Sequence, residues 1–254
     1  MASLTSSRVV LIFGAGANVG ASLVKGFLGA GYRVATVSRS NKPSSPSSSS
    51  SAPSSDSTPL LRIQADLSDT SAVLSVFTQL SAADWPVPSV VIWNAANVTQ
   101  PAASDPGNPL EVPLEEFDRD LGLMVRSPYI AAREAVRMWK KKMEAERERE
   151  AGIGRNGTFI LTGNLLPRKI LPVPSLVDLG VGKSAANYWV GLSDATFRKD
   201  GIRFFFADER AADGSAVGSK IDGAGHSEMY LRLTEDDEVP YYVTFVDGKY
   251  KEIL

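Results

Sequence analysis

The sequence has no cysteine and a single histidine, His226, and each scarcity removes a class of chemistry. Without cysteine there is no disulfide, iron–sulfur cluster, thiolate zinc site or cysteine nucleophile. One histidine cannot build a multi-histidine metal centre, so no metal site is expected. No stretch approaches the roughly 20 apolar residues that span a bilayer. The start of the chain has no charged segment followed by an apolar one, so no secretory signal is expected. Neither charge sign is in large excess: 27 Lys+Arg face 29 Asp+Glu, a formal net charge of −2. Such a balance gives no reason to expect a nucleic acid or an anionic membrane as partner. GxSxG, HExxH and Walker A patterns are missing too, which removes the common hydrolase and kinase routes. What remains is a soluble, cytoplasmic protein whose 254 residues suit one α/β domain.

Residues 8–13 (RVVLIF) form a continuous apolar, β-branched run, as in a strand buried on both faces of a parallel sheet. Glycines follow at once. Residues 21–29 then carry helical spacing, and residues 32–38 read as a second strand. The alternation continues with helical 71–80, strand-like 89–93 and 158–162, helical 183–199 and strand-like 202–207. It predicts a doubly wound parallel sheet, a Rossmann fold in a single domain over 1–254. Two stretches interrupt it. Residues 44–57 hold 10 Ser and two Pro in 14 positions, too polar to pack, and predict a flexible surface loop within 40–59. Residues 114–150 read as one long helix with a solvated, mixed-charge end.

Gly14-Ala-Gly16-Ala-Asn18-Val19-Gly20 lies between the first strand and the first helix. Glycines there permit a tight turn and let backbone N–H groups approach a pyrophosphate at the helix N-terminus. The second strand ends Ser38-Arg39. An acidic residue at that point would bind the ribose 2′-hydroxyl of NAD and repel a 2′-phosphate. Ser38 is uncharged and Arg39, with Lys42 beyond it, offers cations to a phosphate, so NADP(H) is favoured over NAD.

These residues, with others along the chain, resemble the short-chain dehydrogenase/reductase superfamily. The glycine loop is similar to TGxxxGxG, with Phe13 for Thr and Asn18 for the middle Gly. Ala65-Asp66-Leu67 resembles the segment that meets adenine. Trp93-Asn94-Ala95-Ala96 resembles NNAG, Val246-Asp247-Gly248 the terminal VDG, and Leu179-Gly-Val-Gly-Lys183 stands where the family has YxxxK. More narrowly, TGN…LGVGKSA…ADER…DG is similar to a group of fungal proteins of this type. The resemblance implies a cofactor held by Gly14, Gly16, Asn18, Val19, Gly20, Ser38, Arg39, Asp66, Leu67, Asn94, Ala95 and Lys183. It also implies a homodimer or homotetramer through the helix pair of 114–138 and 183–197, where Leu121, Tyr129, Trp139 and Trp189 are candidate interface residues.

Departures from the family bear on the chemistry. Where it has a proton-moving Tyr this chain has Leu179, its Ser aligns with Gly163 or Asn164, and its Asn with Met124; only Lys183 survives. The Pro-Gly that shapes the nicotinamide pocket is replaced by Asp208-Glu209. Candidate catalytic residues are therefore Lys183, Asn164 as a hydrogen-bond donor, and Tyr188 as a replacement acid or else a core ring. His226 falls in the region that forms the family's substrate lid. Asp208, Glu209 and Arg210 either contact ligand or form a salt-bridged loop. Two functions fit: an NADPH-dependent reductase of a carbonyl, imine or iminium small molecule, or a non-redox protein (cyclase, isomerase or nucleotide sensor) that keeps the fold. An iminium carbon becomes a neutral amine on accepting hydride, so its reduction needs no proton donor.

Overall fold

A computed structural model describes residues 8–40, 60–147 and 155–253. Every side chain of β1 (Val9–Phe13) is buried, which places that strand at the centre of a sheet. Around it run β2 (Arg33–Ser38), β3 (Leu60–Gln64), β4 (Val90–Trp93), β5 (Gly157–Thr162), β6 (Ile202–Glu209), β7 (Tyr242–Val246) and β8 (Lys249–Tyr250). Their order is β3-β2-β1-β4-β5-β6-β7-β8; all neighbours are parallel except β7 and β8. The last pair is a hairpin whose two-residue loop is Asp247-Gly248, with φ 47° and 73°. Asp-Gly suits that loop because both positions need left-handed backbone.

The helices are α1 (Val19–Gly29), α2 (Thr70–Ala82), α3 (Leu114–Leu121), α4 (Ser127–Arg147), α5 (Val177–Phe197) and α6 (Gly223–Leu233). Two cores follow from the strand period of two. On one face Val10, Ile12, Ile160, Phe205 and Phe245 meet the apolar stripes of α1 and α6. On the other Leu11, Phe13, Trp93, Phe159 and Phe204 meet α2, α4 and α5. The doubly wound parallel sheet expected from the sequence is the observed fold.

Boundaries differ in instructive ways. The long helix expected over 114–150 is α3 and α4 joined by a five-residue π-helical turn, Gly122–Arg126, and its last three residues lie outside the described residues. α5 begins at Val177, six residues ahead of the expected start, running through Gly180 and Gly182. The Ser/Pro tract of 44–57 lies outside the described residues, as does Lys42. Trp139 is not an interface residue: it is fully buried, donates its indole N–H to the carbonyl of Pro88 at 2.6 Å, and lies where a Cβ on Gly157 would stand. A buried ion pair joins α5 to β6. Asp194 accepts from Arg203 Nε at 2.8 Å and from the Phe204 amide at 2.9 Å, and Arg203 also donates to the carbonyl of Val239. No helix among the described residues is long and apolar enough to cross a membrane.

Candidate functional site

Strand order reverses between β1 and β4, so their carboxyl ends part and leave a cleft, the usual ligand position in such sheets. The chain leaving β1 must then turn hard beside the chain leaving β4. Gly14 makes this contact: its φ is +87°, and a Cβ there would stand 2.6 Å from the Ala95 amide nitrogen. A Cβ on Gly20 would meet Ala15 at the same distance, whereas Gly16 has nothing within 4 Å and leaves its side of the loop open. The first turn of α1 follows, with the unsatisfied N–H groups that every helix start presents. Val19 itself is buried, so it offers its backbone only. Asn18 is fixed by donating from Nδ2 to the carbonyl of Ile221 at 2.9 Å. This arrangement fits a pyrophosphate: room at Gly16, donors at the helix start, and no carboxylate on the loop.

At the ends of β2 and β3 a second cluster forms. Arg39 is exposed, and its carbonyl is held by Gln64 Nε2 at 3.0 Å. Ser38 turns its hydroxyl to the Ser40 carbonyl. Asp66 is held below the ordinary carboxylate range by hydrogen bonds from Ser68 first and by the Arg39 charge second. Leu67 buries its side chain in the core. Ser38, Arg39 and Asp66 thus share one edge of the cleft.

The cleft's floor is the end of β5. Lys183 is buried, and its Nζ donates to the Thr162 carbonyl at 2.6 Å. Burial pushes its pKa down to about 8. Thr162 Oγ donates to Asn94 Oδ1 at 2.9 Å, and Asn94 Nδ2 donates to the Gly14 carbonyl at 2.9 Å. Tyr230 on α6 completes the chain by donating to Thr162 Oγ at 2.8 Å. Ala95 accepts the Trp93 indole N–H on its carbonyl. Lys183, Asn94, Ala95 and the glycine loop are therefore brought together, and Tyr230 and Thr162 join them unannounced by the sequence reading.

The catalytic candidates fare differently. Asn164 lies at the mouth of β5, but its Oδ1 accepts the Leu166 amide at 3.1 Å and shapes a turn. Gly163 cannot be replaced by a serine without movement, because its Cβ would lie 2.3 Å from the Phe206 ring. Met124 is buried on the π-helical turn, and a Cβ on Gly182 would come within 2.7 Å of it. Tyr188 is neither an acid in the cleft nor a core ring. It is 75% exposed, because five residues along a helix is a rotation of about 140° from Lys183. His226 is not on a lid. It lies on α6 against Tyr230 and Phe245, with Nδ1 2.8 Å from the Asp222 carbonyl, and burial lowers its pKa.

The loop after β6 is ion-paired. Asp208, fully buried, accepts from Arg210 Nε at 2.7 Å and from the Tyr242 hydroxyl at 2.8 Å. Glu209 accepts the Asp222 amide, and burial pushes its pKa up to about 7. A further acidic pair escaped the sequence reading. Asp178 on α5 is fully buried with no hydrogen-bond donor to either oxygen, and faces Asp120 of α3, which accepts from Asn97 and Thr99. Burial first, then the neighbouring carboxyl, pushes Asp178 up to about 6. No spacing rule points to it, since its partner lies on another helix.

That pair fixes a pH dependence. The folded pKa of Asp178 exceeds its unfolded value, so the folded protein keeps a proton that the unfolded chain releases between about pH 4 and 6. Stability is full below that window and falls as pH rises through it. Asp178→Asn should therefore be more stable than the parent at pH 7 by about 1–3 kcal/mol, the linkage cost of ionising a carboxyl raised to about 6. The difference should fade at pH 4, as thermal unfolding at both pH values will read.

No protein-family model matches the chain. A curated relative, "Short chain dehydrogenase/reductase dmxR12" of Cryptosporiopsis sp. (strain 8999), is 34% identical over 96% of this chain and 93% of its own. Solved structures share the fold. A short-chain dehydrogenase/reductase from Serratia marcescens superposes with a TM-score of 0.67 at 18% identity, covering 96% of this chain and 97% of the other. A Brucella ovis oxidoreductase of the same family, with a partially ordered NAD, gives 0.67 at 19% over 94% and 98%. A 4-hydroxyisoleucine dehydrogenase complexed with NADH gives 0.68 at 18% over 94% and 96%.

Proposed function

The chain belongs to the short-chain dehydrogenase/reductase family, and from that footing we propose an NADP(H)-dependent reductase acting on a small carbonyl or iminium compound. The observation that carries the reading is an asymmetry in the cleft. Its cofactor side keeps the open Gly16, the Asn94 clamp on Gly14 and a buried lysine. Its substrate side has Leu179 where the family has a tyrosine, and Met124 where it has an asparagine.

Each residue has a role in this reading. Gly14, Gly16, Asn18, Val19 and Gly20 hold the pyrophosphate through backbone N–H groups. Arg39 pairs with the 2′-phosphate, Asp66 and the Leu67 backbone meet adenine, and Asn94 and Ala95 hold the wall beside the nicotinamide. Lys183, now on the Thr162 carbonyl, turns to the ribose hydroxyls. Bound in this way, the cofactor supplies hydride. Leu179 neither gives nor takes a proton, so the chain suits an acceptor whose product needs none, an iminium carbon above a ketone. A cytoplasmic location belongs to the same reading, in keeping with a chain free of cysteine. We also infer a homodimer or homotetramer through the outer faces of α4 and α5, where Tyr129, Tyr188 and Leu192 are 53%, 75% and 58% exposed. Light scattering at micromolar concentration should show more than one copy per particle; a monomer would remove this element.

Three measurements test the rest. Calorimetric titration should show NADPH binding more tightly than NADH, and Arg39→Ala should lose about 1.5–3 kcal/mol for NADPH alone, the worth of a charge-assisted contact. Equal affinity in the parent protein would sink the cofactor assignment. Leu179→Tyr, with Lys183 already one helical turn away, should raise ketone reduction well above that of the parent. Its failure on every carbonyl, with NADPH binding intact, would favour a non-redox protein of this fold.

A further inference from the structure

Two carboxylates end β6, and the strand period of two sends them to opposite faces of the sheet. Asp208 meets Arg210 and Tyr242, so its charge is matched. Glu209 turns to the α6 side, is 8% exposed, and has no Lys or Arg paired with it among the described residues. Its two oxygens share the amide of Asp222, the N-cap of α6, at 3.1 and 3.2 Å. The ionisable groups that face it are acidic or neutral. Asp222 and Tyr230 do so from α6, Asp247 from the β7–β8 loop and Asp208 from its own strand. His226 Nδ1 is 3.5 Å away, but it is 2.8 Å from the Asp222 carbonyl, and burial disfavours the charged ring. Arg210 turns instead to Asp208 and to the Gly214 carbonyl. Burial, with these carboxylates behind it, pushes Glu209 up to about 7, although the Asp222 amide pulls the other way.

Contacts in space join this carboxyl to the glycine loop. Ile221, just before Asp222, accepts from Asn18 Nδ2 at 2.9 Å. Gly223, just after it, lies so close that a Cβ would stand 2.7 Å from Asn18 Oδ1. Asn18 is the residue from which α1 starts, and α1 and α6 pack on the same face of the sheet. Glu209 therefore stands behind the helix start that is the candidate pyrophosphate site, with one residue of backbone between. Residues 14–24 carry no charged side chain, so no cation on the loop or the first turn of α1 offsets it.

Unit charges even about 10 Å apart, at an effective dielectric of about 20, shift each other's titration by about one pKa unit. A pyrophosphate brings two. We propose that Glu209 sets cofactor affinity through its charge: its carboxylate and the cofactor's pyrophosphate oppose each other, so the cofactor binds with uptake of a proton from solvent onto Glu209. This rests on the cofactor reading of the cleft. The arriving anion raises the carboxyl's pKa further, so affinity is full below about pH 6.5 and falls about tenfold by about pH 8.5.

Calorimetric titration with NADPH at pH 6 and pH 8.5 tests this on the parent and on Glu209→Gln. The two proteins should bind alike at pH 6, and the variant about tenfold more tightly at pH 8.5. Glutamine keeps an acceptor for the Asp222 amide. Loss of a merely structural contact would weaken binding, whereas loss of an opposing charge strengthens it. Lys183, pushed down to about 8, and the 2′-phosphate of NADPH also titrate, but both are common to the two titrations and cancel at each pH. Should the variant fail to fold, the parent decides alone. At pH 7.5, titrations in buffers of different ionisation enthalpy should show about half a proton taken up per NADPH. Lys183 is mostly charged at that pH and supplies the lesser part. Equal affinities at pH 8.5, a variant weaker at both pH values, or binding without proton uptake would overturn the proposal and leave the cofactor reading standing. Absence of NADPH binding at either pH would overturn both.

Discussion

Hydrogen bonds at the end of β5 run in one direction. Tyr230 donates to Thr162 Oγ, Thr162 donates to Asn94, and Asn94 donates to the carbonyl of Gly14. Lys183 donates to the carbonyl of the same threonine. Each hydroxyl uses its only proton, so reversing any member would leave a neighbour unsatisfied. The consequence is spatial. α6 lies on one face of the sheet and α5 on the other, and Thr162 is where side chains from both converge on the glycine loop. The cofactor side of the cleft keeps its shape because this junction joins five separate parts of the chain.

Two glycines let side chains pack closely beside α5. Gly163 makes room for the Phe206 ring, and Gly182 makes room for Met124. A side chain placed singly at either glycine would collide with the packing around it. The buried Asp120 and Asp178 belong to the same region, between α3 and α5, and they put strain where the apolar contacts put stability. Leu179 differs from these positions. It is half-buried, and no glycine makes room for it among the close contacts described above.

The sheet was legible because β1, β4 and β6 are buried on both faces and read as apolar runs, and the glycine loop because its constraint is local. β3 was missed: at the sheet edge its pattern is half-exposed, and it follows a tract with no periodic signal. The resemblance placed His226 in a lid region, but the residues around it form α6, which opens with Gly223 and Gly225. A Cβ on Gly223 would meet Ser22 at 2.5 Å and Asn18 at 2.7 Å, so the glycine serves a contact some 200 residues away in sequence. Tyr188 was misplaced for the opposite reason. Its helix was read correctly, but its rotation about the axis was not followed to the side it faces. The acidic pair and the Tyr230 link both join distant elements, and no spacing along one element encodes them.

The chain between β6 and α6, residues 210–222, is short and held at many points. Arg210 reaches the Gly214 carbonyl, Lys251 the Ala212 carbonyl, Asn18 the Ile221 carbonyl, and Glu209 the Asp222 amide. A segment tied in this way has little freedom to fold over a guest. Arrival and departure are then paced by diffusion and contact strength rather than by the slow clock of a closing flap. Discrimination then falls to fixed walls.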